Sequence, residues 1–168
     1  TVSPVKAPDE TWWELERRLA LIYLGRGHHS SAVHEQVIAE LSGEGPECKR
    51  LEDLRRTAGL SRDALYAGDF NAFGRAMIEN NDAQERLNPS LIGEDARRVI
   101  EAARAHGAAG WKVNGAGGEG GSVTLLAGPL SCDKRAMLRD IESIDPLFRN
   151  IPLYLSRRGL RRWRQSGR

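Results

Sequence analysis

The sequence has little cysteine, few aromatic residues and almost no excess charge of either sign. The two cysteines, Cys48 and Cys132, form no CxxC pair, so neither a zinc site nor a disulfide framework is indicated. A formal net charge of +2 predicts neither a nucleic-acid partner nor a membrane-surface protein. No apolar run approaches the ~20 residues of a membrane span, and no signal peptide opens the chain. We therefore expect a cytoplasmic protein.

The remaining composition is that of an ordinary globular protein. The 168 residues are 40% hydrophobic and 29% charged, which favours one domain over residues 1–168 with its own core. The chain begins at Thr1, without a methionine, and enters patterned structure almost at once. That beginning predicts a processed product or a part of a longer protein.

Strands are predicted near both ends of the chain. One covers Leu15–Leu24 and pairs with residues 1–7 through a turn at Pro8-Asp9-Glu10. Two more are predicted at the end of the chain, near Ile151–Ser156 and Leu160–Arg164. Residues 157–168 contain six arginines with Trp163 among them, a pattern that is typical of a charged edge strand and less so of a nucleic-acid site.

Helices are predicted through the middle of the chain by apolar residues at helical spacing and by capping residues. Their predicted bounds are Ser30 or Ser31 to Leu41, Cys48–Tyr66, Asp69–Leu87, a stretch after Gly93, and Ser131 or Asp133 to Ser143. Strands around a helical middle, without regular βαβ alternation, predict an α+β fold with a largely antiparallel sheet.

The most distinctive stretch is WKVNGAGGEGGSVTLLAG, residues 111–128, which contains six glycines. Residues 115–120 match the GxGxxG pattern of dinucleotide-binding loops. Such a loop leads directly into a helix, whereas the segment that follows here is typical of a strand. A protein-kinase glycine loop requires a lysine on the next strand, together with HRD and DFG motifs, and these are absent. A tight hairpin with no ligand stays an alternative, although a hairpin alone needs fewer glycines.

KVNGAGGEGGSVTLLA resembles the third motif of the GHMP kinases, the superfamily of galactokinase, homoserine, mevalonate and phosphomevalonate kinases. In that motif a GAGGGG loop joins two strands. The segment LALIYLGRGHHSSAVHEQVI is similar to the strand, turn and helix that open the C-terminal domain in the heptose-phosphate kinase branch. The resemblance implies a ferredoxin-like domain whose antiparallel sheet has helices on one side. Glu119 interrupts the glycine run, so we expect this loop to support a phosphate site without holding the phosphate directly.

The resemblance implies the C-terminal domain of an ATP-dependent kinase that phosphorylates a hydroxyl of a sugar or sugar phosphate. The family binds ATP and Mg²⁺ mainly through an N-terminal domain, whose P-x-x-x-G-L-x-S-S-A loop has no complete copy here. We therefore expect the isolated chain to be inactive, with no catalytic residue and no tightly bound cofactor of its own. The alternative is a non-catalytic module of the same fold, with an anion-binding or regulatory role. The sequence does not decide whether the chain forms a homodimer.

Two groups of candidate site residues follow. Loop residues expected to support the nucleotide loop are Gly115, Ala116, Gly117, Gly118, Gly120, Gly121 and Ser122. Residues expected to bind the acceptor are Arg26, His28, His29, Ser30, Lys112 and Asn114. A helix N-terminus beside an arginine favours anions, and strand alternation places Lys112 and Asn114 on one face. No metal site is expected, because His34 would point away from His28 and His29 on the helix.

Overall fold

The computed structural model describes residues 4–27, 30–44, 48–156 and 162. Within these ranges, the helices are α1 (Asp9–Arg18), α2 (Ser30–Leu41), α3 (Lys49–Ala67), α4 (Phe70–Leu87), α5 (Glu94–Ala105) and α6 (Ser131–Ile144). The strands are β1 (Leu19–Tyr23), β2 (Gly110–Val113), β3 (Ser122–Leu126) and β4 (Arg149–Ile151), and a 3-10 turn at Pro89–Leu91 joins α4 to α5. None of the described helices has the length and apolarity needed to cross a membrane.

The strands form one antiparallel sheet of four in the order β2-β3-β1-β4. In the register, Ile22 of β1 lies opposite Val123 on one side and Asn150 on the other. Helices follow β1 and β3, so the chain runs β-α-β-β-α-β with additional helices in the first crossover, which is the ferredoxin-like arrangement. The predicted α+β class and antiparallel sheet are confirmed.

One face of the sheet is covered by α5 and α6 and forms the main apolar core. Its buried members include Ala20, Ile22, Trp111, Val113, Val123 and Leu125 from the strands, and Val99, Met137, Ile141 and Phe148 from the elements that cover them. Burial of each large apolar side chain contributes roughly 1.5–3 kcal/mol. This core therefore fixes the positions of all the strands that reach the candidate site.

The other face of the sheet is divided into a covered half and an open half. In the covered half, Leu126 packs with Leu15 of α1 and Met77 of α4. In the open half, Tyr23 is 41% exposed, and the polar residues Lys112 and Thr124 are partly buried. Because β2 ends and β3 begins beside it, the open half borders the glycine-rich connection between those strands.

The segment before β1 is a helix, which corrects the strand predicted over Leu15–Leu24. The strand is confined to Leu19–Tyr23, and α1 occupies the ten residues before it. The predicted turn at Pro8-Asp9-Glu10 is the beginning of that helix, and residues 4–7 form no strand. Residues 1–3 of the proposed partner strand lie outside the described residues.

Charge placement explains why α1 is helical. Asp9 and Glu10 lie in its first turn and Arg17 and Arg18 in its last, which is the favourable arrangement for the helix dipole. The Glu14 carboxylate lies 2.6 Å from nitrogens of both arginines, at the i,i+3 and i,i+4 spacings that stabilise helices. No glycine or proline separates α1 from β1, so the sequence carries no signal of the boundary between them.

The strand predicted over Ile151–Ser156 is also corrected. The observed strand, β4, covers Arg149–Ile151 and ends before Pro152, which has no N–H to donate to a ladder. Further along, the Leu155 N–H donates to the Glu16 carboxylate at 2.7 Å instead of pairing with a strand. The strand predicted over Leu160–Arg164 lies, except for Arg162, outside the described residues.

Helix α4 lies along the outer edge of β2 and contacts it closely. A Cβ added to Gly74 of α4 would lie 2.1 Å from the Ala109 carbonyl oxygen, and one added to Gly110 would lie 2.6 Å from the Gly74 Cα. The two backbones therefore touch where these glycines meet. Two turns further on, the Asn81 side-chain oxygen accepts a hydrogen bond from Val113 N–H at 3.1 Å. The Asn81 side chain thus makes the hydrogen bond to β2 that a neighbouring strand would otherwise make.

The helices from α2 to α6 begin and end close to the predicted positions, and Asp69 caps α4. Its carboxylate accepts a hydrogen bond from Ala72 N–H at 2.8 Å. We expect Asp69→Ala to lower the free energy of unfolding by about 1 kcal/mol, because an orphan N–H of the first turn loses its partner. Urea denaturation measures this. Asp63→Ala, at an exposed position inside α3, is the control, and an equal loss in both variants would contradict the capping role.

Candidate functional site

The connection between β2 and β3 is a loop whose backbone conformation requires glycine. Gly115, Gly117, Gly118 and Gly121 all have positive φ angles, of 63°, 36°, 61° and 81°. Residues with a Cβ rarely adopt this region, so the density of glycines follows from the backbone path. The loop is also largely buried, since Ala116 is only 4% exposed.

The loop is packed against the 3-10 turn and the start of α5. A Cβ added to Gly117 would lie 2.2 Å from the Leu91 carbonyl oxygen, and one added to Gly93 would lie 1.9 Å from the Gly118 carbonyl oxygen. Ala116 joins Leu87 and Leu91 in a small apolar cluster. The loop is therefore held in one position by the elements beneath it, and is more than a tight hairpin.

A polar network lies beside the loop on the open half of the sheet. The Asn114 side chain donates to Ser122 Oγ at 3.0 Å and accepts from Thr124 Oγ1 at 3.0 Å. Lys112 lies opposite Thr124 in the register, so the predicted residues Lys112, Asn114 and Ser122 share one face. This arrangement offers hydroxyl, amide and ammonium groups next to the glycine loop.

Lys112 is the cation of this network and is partly buried. Its ammonium donates to Gln84 Oε1 at 2.9 Å and to the Val113 carbonyl at 3.3 Å. Burial lowers the pKa of the Lys112 ammonium below its usual value. An ammonium has three donors, and these contacts within the described residues use two of them.

The amide side chains of α4 form the part of the site that the sequence did not predict. Gln84 is 6% exposed, and its Nε2 donates to the Gly115 carbonyl at 2.5 Å. Asn81 is 4% exposed and binds the backbone of β2, as described above. One signal in the sequence could have identified them. Asn81 and Gln84 are spaced i and i+3 on the apolar side of an amphipathic helix, and buried amides must find hydrogen-bond partners.

Arg26 lies in a different environment, among carboxylates. Its guanidinium donates to Asp95 at 2.8 Å and to Asp145 at 3.2 Å, and the hydrogen bond to Asp95 raises its pKa. With Glu94 and Glu119, Arg26 and Asp95 line a cleft of about 200 Å³. Arg26 is thus already bound to protein carboxylates, and the cleft is acidic overall.

The remaining predicted acceptor residues are described only in part or not at all. His28 and His29 lie outside the described residues, and Ser30 is described only as the first residue of α2. The structure therefore brings together the glycine loop, Lys112, Asn114 and Ser122, with Arg26 at the Glu119 end of the loop. In the described part of the chain, no group of three His, Cys, Asp or Glu side chains converges to hold a metal ion.

Comparison with known proteins identifies the part of the chain that carries this site. Residues 61–129 match the family model of the GHMP kinases C terminal, a segment that runs from α3 to just beyond β3. It includes the glycine loop, Lys112 and Gln84. No curated protein matches the chain in sequence.

Several solved structures share the fold. Mevalonate kinase from L. major, solved with R-mevalonate, is 21% identical with a TM-score of 0.69, over 88% of this chain and 44% of that one. A D-glycero-D-manno-heptose 1-phosphate kinase from Bacteroides thetaiotaomicron is 18% identical with a TM-score of 0.56, over 90% and 37%. A putative sugar kinase from Campylobacter jejuni is 17% identical with a TM-score of 0.53, over 85% and 38%.

The chain thus spans less than half the length of each of these kinases. The residues that match the family model contain α4, the glycine loop and both strands that flank it. Residues 61–129 thus match the C-terminal family of the GHMP kinases, and the chain shares the fold of these solved kinases.

Proposed function

We propose that the chain forms the acceptor side of the active site of an ATP-dependent kinase that phosphorylates a hydroxyl group of a small molecule. The observation that carries this proposal is the open, polar half of the sheet beside a rigid glycine loop. A face that lies open next to a fixed loop suits a substrate enclosed between this domain and another one. Phosphoryl transfer depends mainly on positioning and charge stabilisation, which such a surface supplies.

The acceptor that this surface favours carries an anionic group. Lys112 and Arg149 both lie on the open face: Lys112 donates to the neutral amide of Gln84, and Arg149 lies opposite Tyr23 in the register. Arg26, by contrast, is bound to Asp95 and Asp145. A sugar phosphate, the substrate class predicted from the sequence, meets this requirement, and so does R-mevalonate, which is bound in one of the structurally similar kinases.

ATP and Mg²⁺ would be bound mainly by an N-terminal domain. The similar kinases leave room for such a domain, because this chain spans less than half of their length. The residues present fit a supporting role. The loop provides closely packed backbone with positive φ angles, and Glu119 is exposed on it. A carboxylate there would repel a phosphate in direct contact, so the loop would brace the nucleotide-binding elements.

The complete gene product that contains this chain tests the proposal. We expect ATP- and Mg²⁺-dependent release of ADP with at least one member of a panel of sugars, sugar phosphates and R-mevalonate. Lys112→Met should lower kcat/KM for that acceptor roughly 10- to 100-fold, because a charge-assisted contact is lost. Lys6→Met, at an exposed position before α1, is the matched control and should leave kcat/KM unchanged.

Two results would contradict the proposal. The first is the absence of phosphoryl transfer to every alcohol of the panel. The second is equal activity of Lys112→Met and Lys6→Met. Binding of a sugar phosphate without any transfer would instead favour the alternative, a non-catalytic anion-binding module of the same fold.

A further inference from the structure

One side chain of α4 contacts both parts of the candidate site. Gln84 donates through Nε2 to the carbonyl of Gly115, the first glycine of the loop, and accepts through Oε1 from the Lys112 ammonium. The distances are 2.5 and 2.9 Å. A single planar amide therefore fixes the separation between the beginning of the loop and the cation.

The position of Gln84 is itself fixed from several sides. Three residues earlier, Asn81 binds the backbone N–H of Val113. Four residues later, Asn88 accepts from Ser90 N–H at 2.9 Å and so closes the 3-10 turn on which the loop rests. The backbone of α4 from which Gln84 projects is therefore anchored on either side of it.

A buried amide with both ends occupied is costly to disturb, because each unpaired end loses a hydrogen bond without gaining water. Among the described contacts, Lys112 depends on Gln84 for its only side-chain acceptor. Within the part of the chain that the structure describes, the hydrogen bond that the loop receives from α4 is the one from Gln84 to Gly115. A change in one contact is therefore transmitted to the other.

We propose that Gln84 is a positioning residue that couples the glycine loop to the Lys112 ammonium, so that the loop fixes the position of the cation that binds the anion. Gln84 acts through these two groups and touches no substrate itself. The coupling deepens the proposed function and rests on it only for the identity of the anionic ligand. The same geometry predicts that a ligand bound at Lys112 changes the environment of Gly115.

The coupling can be measured on this chain without any turnover. We expect Gln84→Glu to raise the Lys112 pKa, since a carboxylate replaces the neutral acceptor, and Gln84→Met to lower it, since the acceptor disappears. Both variants lose the donor to Gly115, so the amide signals of residues 115–121 should shift in both. Lysine side-chain and backbone NMR report the two effects separately. Gln36→Glu, at an exposed position on α2, is the matched control and should change neither.

If Gln84 had only a structural role, its two variants would not change the Lys112 pKa in opposite directions while both shifted the loop amide signals. A second variant, Lys112→Met, keeps the proposal testable if the Gln84 variants unfold, and it should shift the side-chain NH₂ signals of Gln84. An unchanged Lys112 pKa in both Gln84 variants, or unmoved loop amides, would overturn the coupling.

Kinetics then separate the coupling from the proposed function. In the complete gene product, Gln84→Met should raise KM for the anionic acceptor about tenfold and change kcat less, because the ammonium is still present but displaced. An unchanged KM, or a loss confined to kcat, would overturn the positioning role even if the NMR coupling is found. Absence of any kinase activity would count against the proposed function alone, since the NMR result does not depend on it.

Discussion

Gly74→Ala is expected to be among the most destabilising single-methyl additions in this protein. The new Cβ would lie 2.1 Å from the Ala109 carbonyl oxygen and 2.6 Å from its carbon. Both atoms belong to the backbone, so relief requires α4 to move away from β2. We expect the free energy of unfolding to fall by about 3 kcal/mol or more. Chemical denaturation followed by circular dichroism measures it.

Gly59→Ala is the matched control, because Gly59 also lies inside a helix. A Cβ there meets no atom within 4 Å. Alanine is the better helix former by about 1 kcal/mol, so this variant should be more stable than the parent chain. Replacing glycine by alanine is thus expected to raise the free energy of unfolding in α3 and to lower it in α4. If both variants were stabilised, the close contact between α4 and β2 would be refuted.

Gly117→Ala is expected to displace the glycine loop. Its Cβ would lie 2.2 Å from the Leu91 carbonyl oxygen and 2.5 Å from a methyl carbon of Val113, at a residue with a φ of 36°. The clash adds to about 1–2 kcal/mol of backbone strain. We expect a total loss of about 3 kcal/mol of stability or more, together with shifted amide signals throughout residues 115–121.

Gly115→Ala distinguishes strain from packing. Gly115 has a φ of 63°, but a Cβ there meets no atom within 4 Å. Only the backbone strain of about 1–2 kcal/mol should remain. The difference between the two variants therefore measures how tightly the loop rests on the 3-10 turn. Equal losses would show that the loop is not held by that contact.

Helices α2 to α6 were predictable because each carries a local signal. Apolar spacing, the Asp69 cap and the glycine at position 68, which ends α3 with a φ of 64°, all lie within a few residues of the structure that they specify. The glycine loop was predictable for the same reason. Its strand–loop–strand context excluded the dinucleotide loop, and the absent lysine, HRD and DFG excluded the protein-kinase loop. The glycine pattern then indicated the family whose C-terminal model matches residues 61–129.

Other features depend on contacts between distant parts of the chain. The boundary between α1 and β1 is invisible locally, because Arg18 and Leu19 follow one another without a breaker. Asn81 and Gln84 belong to the site only because α4 lies along the edge of β2, which no local pattern in α4 specifies. The carboxylates that bind Arg26 come from α5 and from the end of α6. Sequence reasoning therefore found the loop and its strand but missed its support.

The placement of α4 also has a consequence for how the protein behaves at high concentration. An exposed sheet edge is a template on which strands of other molecules can add, and such addition leads to aggregation. Here α4 covers the edge at β2. The opposite edge, β4, is three residues long and is followed directly by Pro152, which cannot extend a ladder. The described sheet therefore leaves little backbone on which another chain could add.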